Sequence, residues 1–443
     1  MRPLDRRSFL HNTAALAGAI AAMPPSGARA ERPEDAPDGG KPAGPNEVLR
    51  VAVVGVRGRG NDHIQGFTHL KDEARVTAIC DIDENVAASR KKYLEEQNGS
   101  APKYYQDIRK LLEDKDIDII SVATTNHWHA LATIWAVQAG KDVYVEKPVS
   151  HNVTEGRRMV EAARKYKKIV QTGTQCRSSK GLRDAVEFIR SGKLGQVYMA
   201  KGLCYKPRGS IGHKPDGPVP AGVDYNVWLG PAPERPFNAN RFHYNWHWFW
   251  DYGNGDLGNQ GIHQMDLARW GLGKQEFPKS VLASGGRFGY KDDGETPNTL
   301  SVSFEFDDCE LQFEVRGLPT NDELKVKVGD IFYGTEGILA MTSYESWQVY
   351  FGDKLEKGPS GRGGGDHYLN FLKAVRARDH KILNADIEQG HLSSAYCHLG
   401  NIAYRLGRKL HINPSTESFV SDPEADAMLT REYRKPFVVP EKV

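Results

Sequence analysis

The sequence predicts an α/β protein with two parts. An N-terminal doubly wound parallel sheet is followed by an α/β domain with a large, mainly antiparallel sheet. Three observations carry this expectation. From Val48 to Gln171, short apolar β-branched runs alternate with helical stretches, the pattern of parallel strands with helical crossovers. A glycine-rich turn follows the first run directly. Beyond Gln196 the runs lengthen and alternate apolar with polar residues, as antiparallel strands with one solvated face do.

The first thirty residues read as an address. Arg6-Arg7 precedes Ser8-Phe9-Leu10, then a weakly apolar run from Ala14 to Met23, then Ala28-Arg29-Ala30. This is the order of a twin-arginine signal with a small-x-small cleavage site. The run is about ten residues, against roughly twenty needed to span a bilayer. Cleavage is expected after Ala30, with export by the twin-arginine machinery to the periplasm or beyond. Removing residues 1–30 takes away four arginines and one aspartate, and the formal charge moves from +2 to −1. No basic block for nucleic acid and no second apolar segment for stable membrane insertion follow. Residues 31–47, rich in Pro, Gly and Asp, read as a flexible leader. The remaining residues, about 400, exceed one comfortable core, so two domains are expected, 48–172 and 173–443.

The first strand is Val48 to Val54 and the turn is Gly55-Val-Arg57-Gly58-Arg59-Gly60. A helix start at Asn61 and a second strand, Ala74 to Cys80, follow, and Asp81 closes that strand. This strand–turn–helix–strand–acid context is the dinucleotide fingerprint of a Rossmann domain. Amides at the helix start bind pyrophosphate, and the acid accepts the ribose hydroxyls. Asp81 should repel a 2′-phosphate, so NAD is expected over NADP, with Arg57 and Arg59 as possible offsets. Arg57 stands where the fingerprint has its middle glycine, with Gly58 beside it.

The alternation continues with a helix over Asp107–Glu113, a strand over Asp116–Ala123 and a helix over Ala130–Ala139. The intervening Thr124-Thr-Asn126-His-Trp-His129 reads as a ligand-side loop whose polar groups face ribose or nicotinamide, or as a helix cap with surface histidines. Asp142–Val145 is a strand, Glu155–Lys165 a helix and Ile169–Gln171 a strand. Between them Glu146-Lys147-Pro148 ends an apolar run, which places Lys147 at a strand's carboxyl end, where open α/β sheets do chemistry.

In the second part, strands are expected over Val197–Tyr205, Val281–Phe288, Leu300–Phe306, Glu310–Val315 and Lys325–Phe332. Between the first two lies a stretch dense in Trp, Tyr, His, Asn and Asp, from Phe242 to Asp266. Tyr244, Trp246 and Trp248 beside Asn259 and Gln260 suit the apolar faces and hydroxyls of a sugar ring. Asn259 and His263 share a face if this segment is helical. Arg177, just after a strand, is a candidate to reach substrate or Lys147. His243, His247 and His263 match no compact metal spacing, and no metal is expected. The five cysteines form no metal motif either; Cys80, Cys309 and Cys397 read as buried, and structural disulfides are not expected.

From Val48 onward the chain resembles the Gfo/Idh/MocA family of oxidoreductases, the glucose–fructose oxidoreductase and inositol dehydrogenase group. The resemblance rests on the glycine turn, Thr124-x-Asn126-x-x-His129, Glu146-Lys147-Pro148, Gly261-x-His263-x-x-Asp266 and the late helical stretches 367–377 and 386–408. It implies Lys147 as a substrate-orienting proton relay, His263 as acid/base, and cofactor contacts from Gly55, Arg57, Gly58, Arg59, Gly60, Asp81, Thr124, Asn126, His129, Glu146 and Lys147. It also implies homo-dimers or homo-tetramers formed through the open sheet face. One position departs from the pattern: the family commonly has Asp four residues before the histidine, and here it is Asn259. Asp256 or Asp266 is left to supply the carboxylate.

The function expected is hydride transfer between NAD(P) and a carbinol of a sugar, glycoside or cyclic polyol. Export implies a tightly held cofactor restored within each cycle. An alternative is redox-neutral cleavage of a glycoside through a transient keto-sugar. A third reading is a non-catalytic carbohydrate sensor.

Overall fold

The computed structural model describes residues 47–443. The proposed signal, and all but the last residue of the leader, lie outside the described residues. The first sheet contains β1 (Leu49–Val54), β2 (Ala74–Cys80), β3 (Lys103–Tyr105), β4 (Ile119–Val122), β5 (Asp142–Val145) and β6 (Val170–Thr172). Its order is β3-β2-β1-β4-β5-β6 and its pairs are parallel. This is the doubly wound order, reversing between β1 and β4, where ligands bind at the strands' carboxyl ends. Both faces are buried. Leu49, Val51 and Val53 of β1 enter one apolar cluster, and Ala52 and Val54 the other. That two-sided burial is why the strands read as continuous apolar runs.

Helices α1 (Arg59–His69), α2 (Glu84–Asn98), α3 (Ile108–Leu112), α4 (Asn126–Gln138) and α5 (Val153–Lys165) are the crossovers. α2 was not expected, since it buries only Ala87 and Leu94 and shows no apolar stripe. Only Thr124 and Thr125 of the 124–129 segment are loop. α4 begins at Asn126, and His127 and His129 are buried, because its first turn is packed under the second part of the chain.

The second sheet runs β14-β13-β12-β11-β7-β10-β9-β8-β15-β16. Its members are β7 (Val197–Cys204), β8 (Ser280–Gly286), β9 (Thr299–Glu305), β10 (Glu310–Arg316), β11 (Val328–Gly334), β12 (Gly337–Met341), β13 (Ser346–Phe351), β14 (Glu356–Arg362), β15 (Leu410–Asn413) and β16 (Ser418–Phe419). It is antiparallel except where β10 pairs with β7 in parallel. β11 starts later than expected because Leu324 and Lys325 take positive φ (49° and 65°), which an extended strand does not accommodate.

Helices α6 (Lys180–Arg190), α7 (Tyr225–Leu229), α8 (Gly255–Asn259), α9 (Gly261–Leu272), α10 (His367–Ala377) and α11 (Ile387–Leu406) complete the described helices used below. α9 and α11 cover one face of the second sheet. Leu300, Val302, Phe304, Leu311, Phe313 and Val315 point into that core. The apolar alternation over 300–315 therefore faces the helices and not a partner, and the opposite face carries Ser301, Ser303, Gln312 and Glu314. α10 returns to the first sheet and buries Phe371 and Leu372 there. Among the described residues, no helix is long and apolar enough to cross a membrane. All five cysteines are free, with Cys309 only half-buried.

Candidate active site

A cleft of about 340 Å³ opens at the carboxyl ends of β1, β2, β4 and β5. The glycine turn forms its floor. Gly55 has φ +80°, and a Cβ there would lie 2.7 Å from Ala123 O; one at Gly60 would lie 1.7 Å from Gly55 O. Both positions therefore require glycine. A Cβ at Gly58 would meet nothing within 4 Å, so open space lies beside the start of α1. The cap residue of α1 provides no side-chain hydrogen bond. Asn61 N donates to Gly58 O at 3.0 Å, which leaves the amides of Arg59 and Gly60 for an anion at the positive end of the helix.

Asp81 ends β2. Its Oδ2 accepts from Val56 N at 2.7 Å and its Oδ1 from Asp83 N at 3.0 Å. Burial pushes its carboxyl up to about 6. Thr124 and Asn126 line the cleft, and Asn126 Oδ1 is buried without a partner. These features fit a dinucleotide: an open glycine turn, an acid at the ribose position and an orphan amide oxygen at the nicotinamide end.

Three expected cofactor contacts have other employment. Glu146 is buried and accepts from Arg59 Nε (2.8 Å) and His63 Nε2 (3.0 Å). Burial opposes its charge, but Arg59 and His63 hold the carboxyl well below its usual range. Arg59 is thereby turned toward Glu146, which leaves Arg57 as the exposed arginine of the turn. His129 places Nδ1 2.6 Å from Pro148 O and Nε2 3.1 Å from Thr124 O, so it braces the loop after β5 against the end of β4. His63 was missed in the sequence. It falls with Gly60, Ile64 and Phe67 on the buried face of α1, a helical spacing that marks a core-facing histidine.

Lys147 projects from the end of β5, and its Nζ donates to the backbone oxygen of Asn259 at 2.8 Å. Burial lowers its pKa. Asn259 is the last residue of α8, and the helix is interrupted at Gln260 before α9 carries His263 in its first turn. His263 is 5% exposed; its Nδ1 has no partner and its ring centroid is 5.2 Å from that of Tyr344. Burial, then Lys147, lower it to about 3, so it is neutral, with its Nδ1 unpartnered. Tyr344, which also receives Gln260 Nε2, joins the site from the β12–β13 loop, and no pattern in the sequence pointed to it.

Neither carboxylate proposed for His263 serves it. Asp256 is held in two hydrogen bonds by Arg208, at 2.6 and 3.0 Å. Asp266 Oδ2 accepts from Arg177 Nε at 2.7 Å, and its Oδ1 accepts from Ser393 Oγ at 2.7 Å. Arg177 is thus a buried structural partner and reaches neither the cleft nor Lys147. Tyr244, Trp246, Lys147 and Asn259 line the cleft, while Trp248, His263 and Gly60 are not among its lining residues. Trp248 carries the Arg208 guanidinium 5.1 Å above its ring. His243, His247 and His263 are engaged separately, and among the described residues no group of three His, Cys, Asp or Glu could hold a metal ion.

Comparison with known proteins agrees with this architecture. Residues 49–174 match the family described as oxidoreductase family, NAD-binding Rossmann fold, and residues 205–439 match oxidoreductase family, C-terminal alpha/beta domain. Inositol 2-dehydrogenase of Salmonella typhimurium is 31% identical over 159 residues, 36% of this chain and 46% of the relative. A glycosyl hydrolase family 109 protein of Shewanella baltica is 33% identical over 178 residues, 38% of this chain and 39% of the relative. The matched stretches thus span less than half of these curated relatives. Among solved structures, the WlbA dehydrogenase of Bordetella pertussis, in complex with NADH and UDP-GlcNAcA, superposes with TM-score 0.61 at 19% identity. That match covers 83% of this chain and 99% of the other. Levoglucosan dehydrogenase in complex with NADH and L-sorbose gives TM-score 0.63 at 16% identity, covering 83% and 99%. At such identities these two structures show the shared fold. With matches in both of its parts, the chain belongs to the Gfo/Idh/MocA oxidoreductase family and carries that family's NAD-binding Rossmann domain.

Proposed function

We propose that the protein is an exported oxidoreductase acting on a carbinol of a sugar, glycoside or cyclic polyol, with a bound NAD recycled in each turnover. The observation that carries this reading is Lys147: a half-buried amine at the end of β5, fixed 2.8 Å from Asn259 O in the dinucleotide cleft. Amides after Gly58, Asp81 and Thr124–Asn126 would hold the cofactor. NAD, when bound, supplies the hydride acceptor. Lys147, which lines the cleft, orients the substrate hydroxyl and relays its proton to neutral His263 as the carbonyl forms. Tyr244 and Trp246 give the ring an aromatic wall. Twin-arginine export belongs to the same proposal, because a nicotinamide outside the cytoplasm has no pool to exchange with. Self-association also belongs to it. Support for that comes from the sheet face left uncovered, where Leu282 is 47% exposed, and not from residues 300–315. A monomer in sedimentation at micromolar concentration would remove it.

A second reading is redox-neutral glycoside cleavage through a keto-sugar. It is favoured by one observation: His263 has no carboxylate partner, since Asn259 is neutral and Asp256 and Asp266 are bound to arginines. The likeness to the family 109 hydrolases points the same way.

Purified protein incubated with a glycoside panel, without added nucleotide, separates the cases. Cleaved product without net nicotinamide reduction supports the redox-neutral cycle. One oxidised and one reduced sugar support ping-pong oxidoreduction. Bound cofactor that no sugar reduces in a single turnover would leave only a carbohydrate sensor. In the same assay Asn259→Asp should speed reduction of bound NAD by sugars if oxidation is the net reaction. It should slow glycoside conversion if a developing enolate must be stabilised, because a nearby negative charge opposes that oxyanion. No change in either would place residue 259 outside the site.

A further inference from the structure

Only one wall of the dinucleotide cleft belongs to the Rossmann domain. The other comes from the segment between β7 and α8. Residues 221–224 run antiparallel to the stretch after β2, with Asp83 and Val223 paired as a bridge. Asp224 N donates to Ile82 O at 2.9 Å, and Glu84 N to Gly222 O at 3.0 Å. Side chains close the seam: Gln106 Nε2 donates to both Ile82 O and Gly222 O, and Asn85 Nδ2 to Ala221 O. Behind it, Trp128 Nε1 donates to Val227 O at 2.9 Å, and His127 Nε2 lies 3.0 Å from Trp228 O.

From this segment Val227, Trp228, Phe242 and His243 line the cleft opposite the glycine turn and Asp81. His243 Nε2 reaches within 3.5 Å of Asp83 Oδ2. His243 also holds a left-handed backbone, φ +55°, a conformation that persists where surroundings over-determine it. The turn and Asp81 fix where the adenosine ribose and pyrophosphate lie. A dinucleotide placed there is roofed over its adenosine half by a seam of backbone hydrogen bonds.

We infer that residues 221–243 are a retention strap, with His243 a further cofactor-positioning residue, and that the strap makes NAD a resident group. This rests on the dinucleotide reading above. Release then requires the seam at Asp83–Val223 to open.

The seam can be locked. The two hydrogen bonds flank the Asp83–Val223 pair, so it is a non-hydrogen-bonded antiparallel pair, with Cα atoms about 4.5 Å apart. A disulfide spans roughly 4.4–6.8 Å. In an Asp83→Cys/Val223→Cys protein loaded with NAD, exchange against labelled NAD should be slower in the oxidised form than in the reduced form by at least about tenfold, as an off-rate effect. Equal rates in the two forms would overturn the strap, as would cysteines that fail to pair. His243→Ala gives an independent arm. It should retain less nucleotide per chain after gel filtration than the natural protein, and the nucleotide released on denaturation should be NAD. Equal retention overturns the role of His243. A natural protein that binds neither NAD nor NADP at any concentration would instead overturn the dinucleotide reading itself.

Discussion

Lys147→Met is expected to lower hydride transfer by about 10²–10⁴-fold, the usual contribution of a positioned acid/base group. Bound nucleotide should be unaffected. The lysine Nζ is bonded to Asn259 O, and Glu146 is held by His63 and by Arg59 of the glycine turn. Single-turnover reduction of the bound cofactor, with nucleotide content measured in parallel, reads both quantities. Retention of more than about a tenth of the natural rate would show that the hydroxyl is oriented by another group. Loss of the nucleotide together with activity would show that Lys147 holds the cofactor.

Asp266→Ala is expected to cost about 3–5 kcal/mol of folding stability, the usual result of breaking a buried ion pair. Asp266 is 1% exposed and Arg177 only 6%. Arg269, fully buried, lies 3.8 Å from the same carboxylate. Removing Asp266 leaves two guanidinium groups in the core without their counter-charge, and Ser393 without its acceptor. Urea denaturation at constant slope measures the loss. A change below about 1 kcal/mol, the value of an exposed pair, would mean that water reaches this cluster.

The sequence was legible where physics acts over short distances. β5 was placed at Asp142–Val145, because a four-residue apolar strand ending at Glu146-Lys147-Pro148 has both its composition and its stop in the same few residues. Lys147 and the glycine turn followed from the same local punctuation. What escaped was set by partners far away in the chain. Arg208 meets Asp256 forty-eight residues on, and Arg177 meets Asp266 eighty-nine residues on. Neither pairing leaves a periodic trace, so Arg177 was assigned to the substrate and Arg208 was missed. β14 escaped for a different reason. It reads Glu-Lys-Gly-Pro-Ser-Gly-Arg and is largely exposed, so burial never imprinted an alternation on it.

The anchoring of Lys147 has a consequence for how this scaffold diversifies. Its partner is the main-chain oxygen of Asn259, which any amino acid at that position would also provide. The amine's placement is therefore independent of the side chain at 259, while that side chain lines the cleft. Asparagine and aspartate codons differ by a single base. One point mutation can thus change the charge at residue 259 and leave the lysine's main-chain anchor intact. On the function proposed above, such a change would tilt the site between net oxidation and redox-neutral chemistry while the lysine's anchor stays intact.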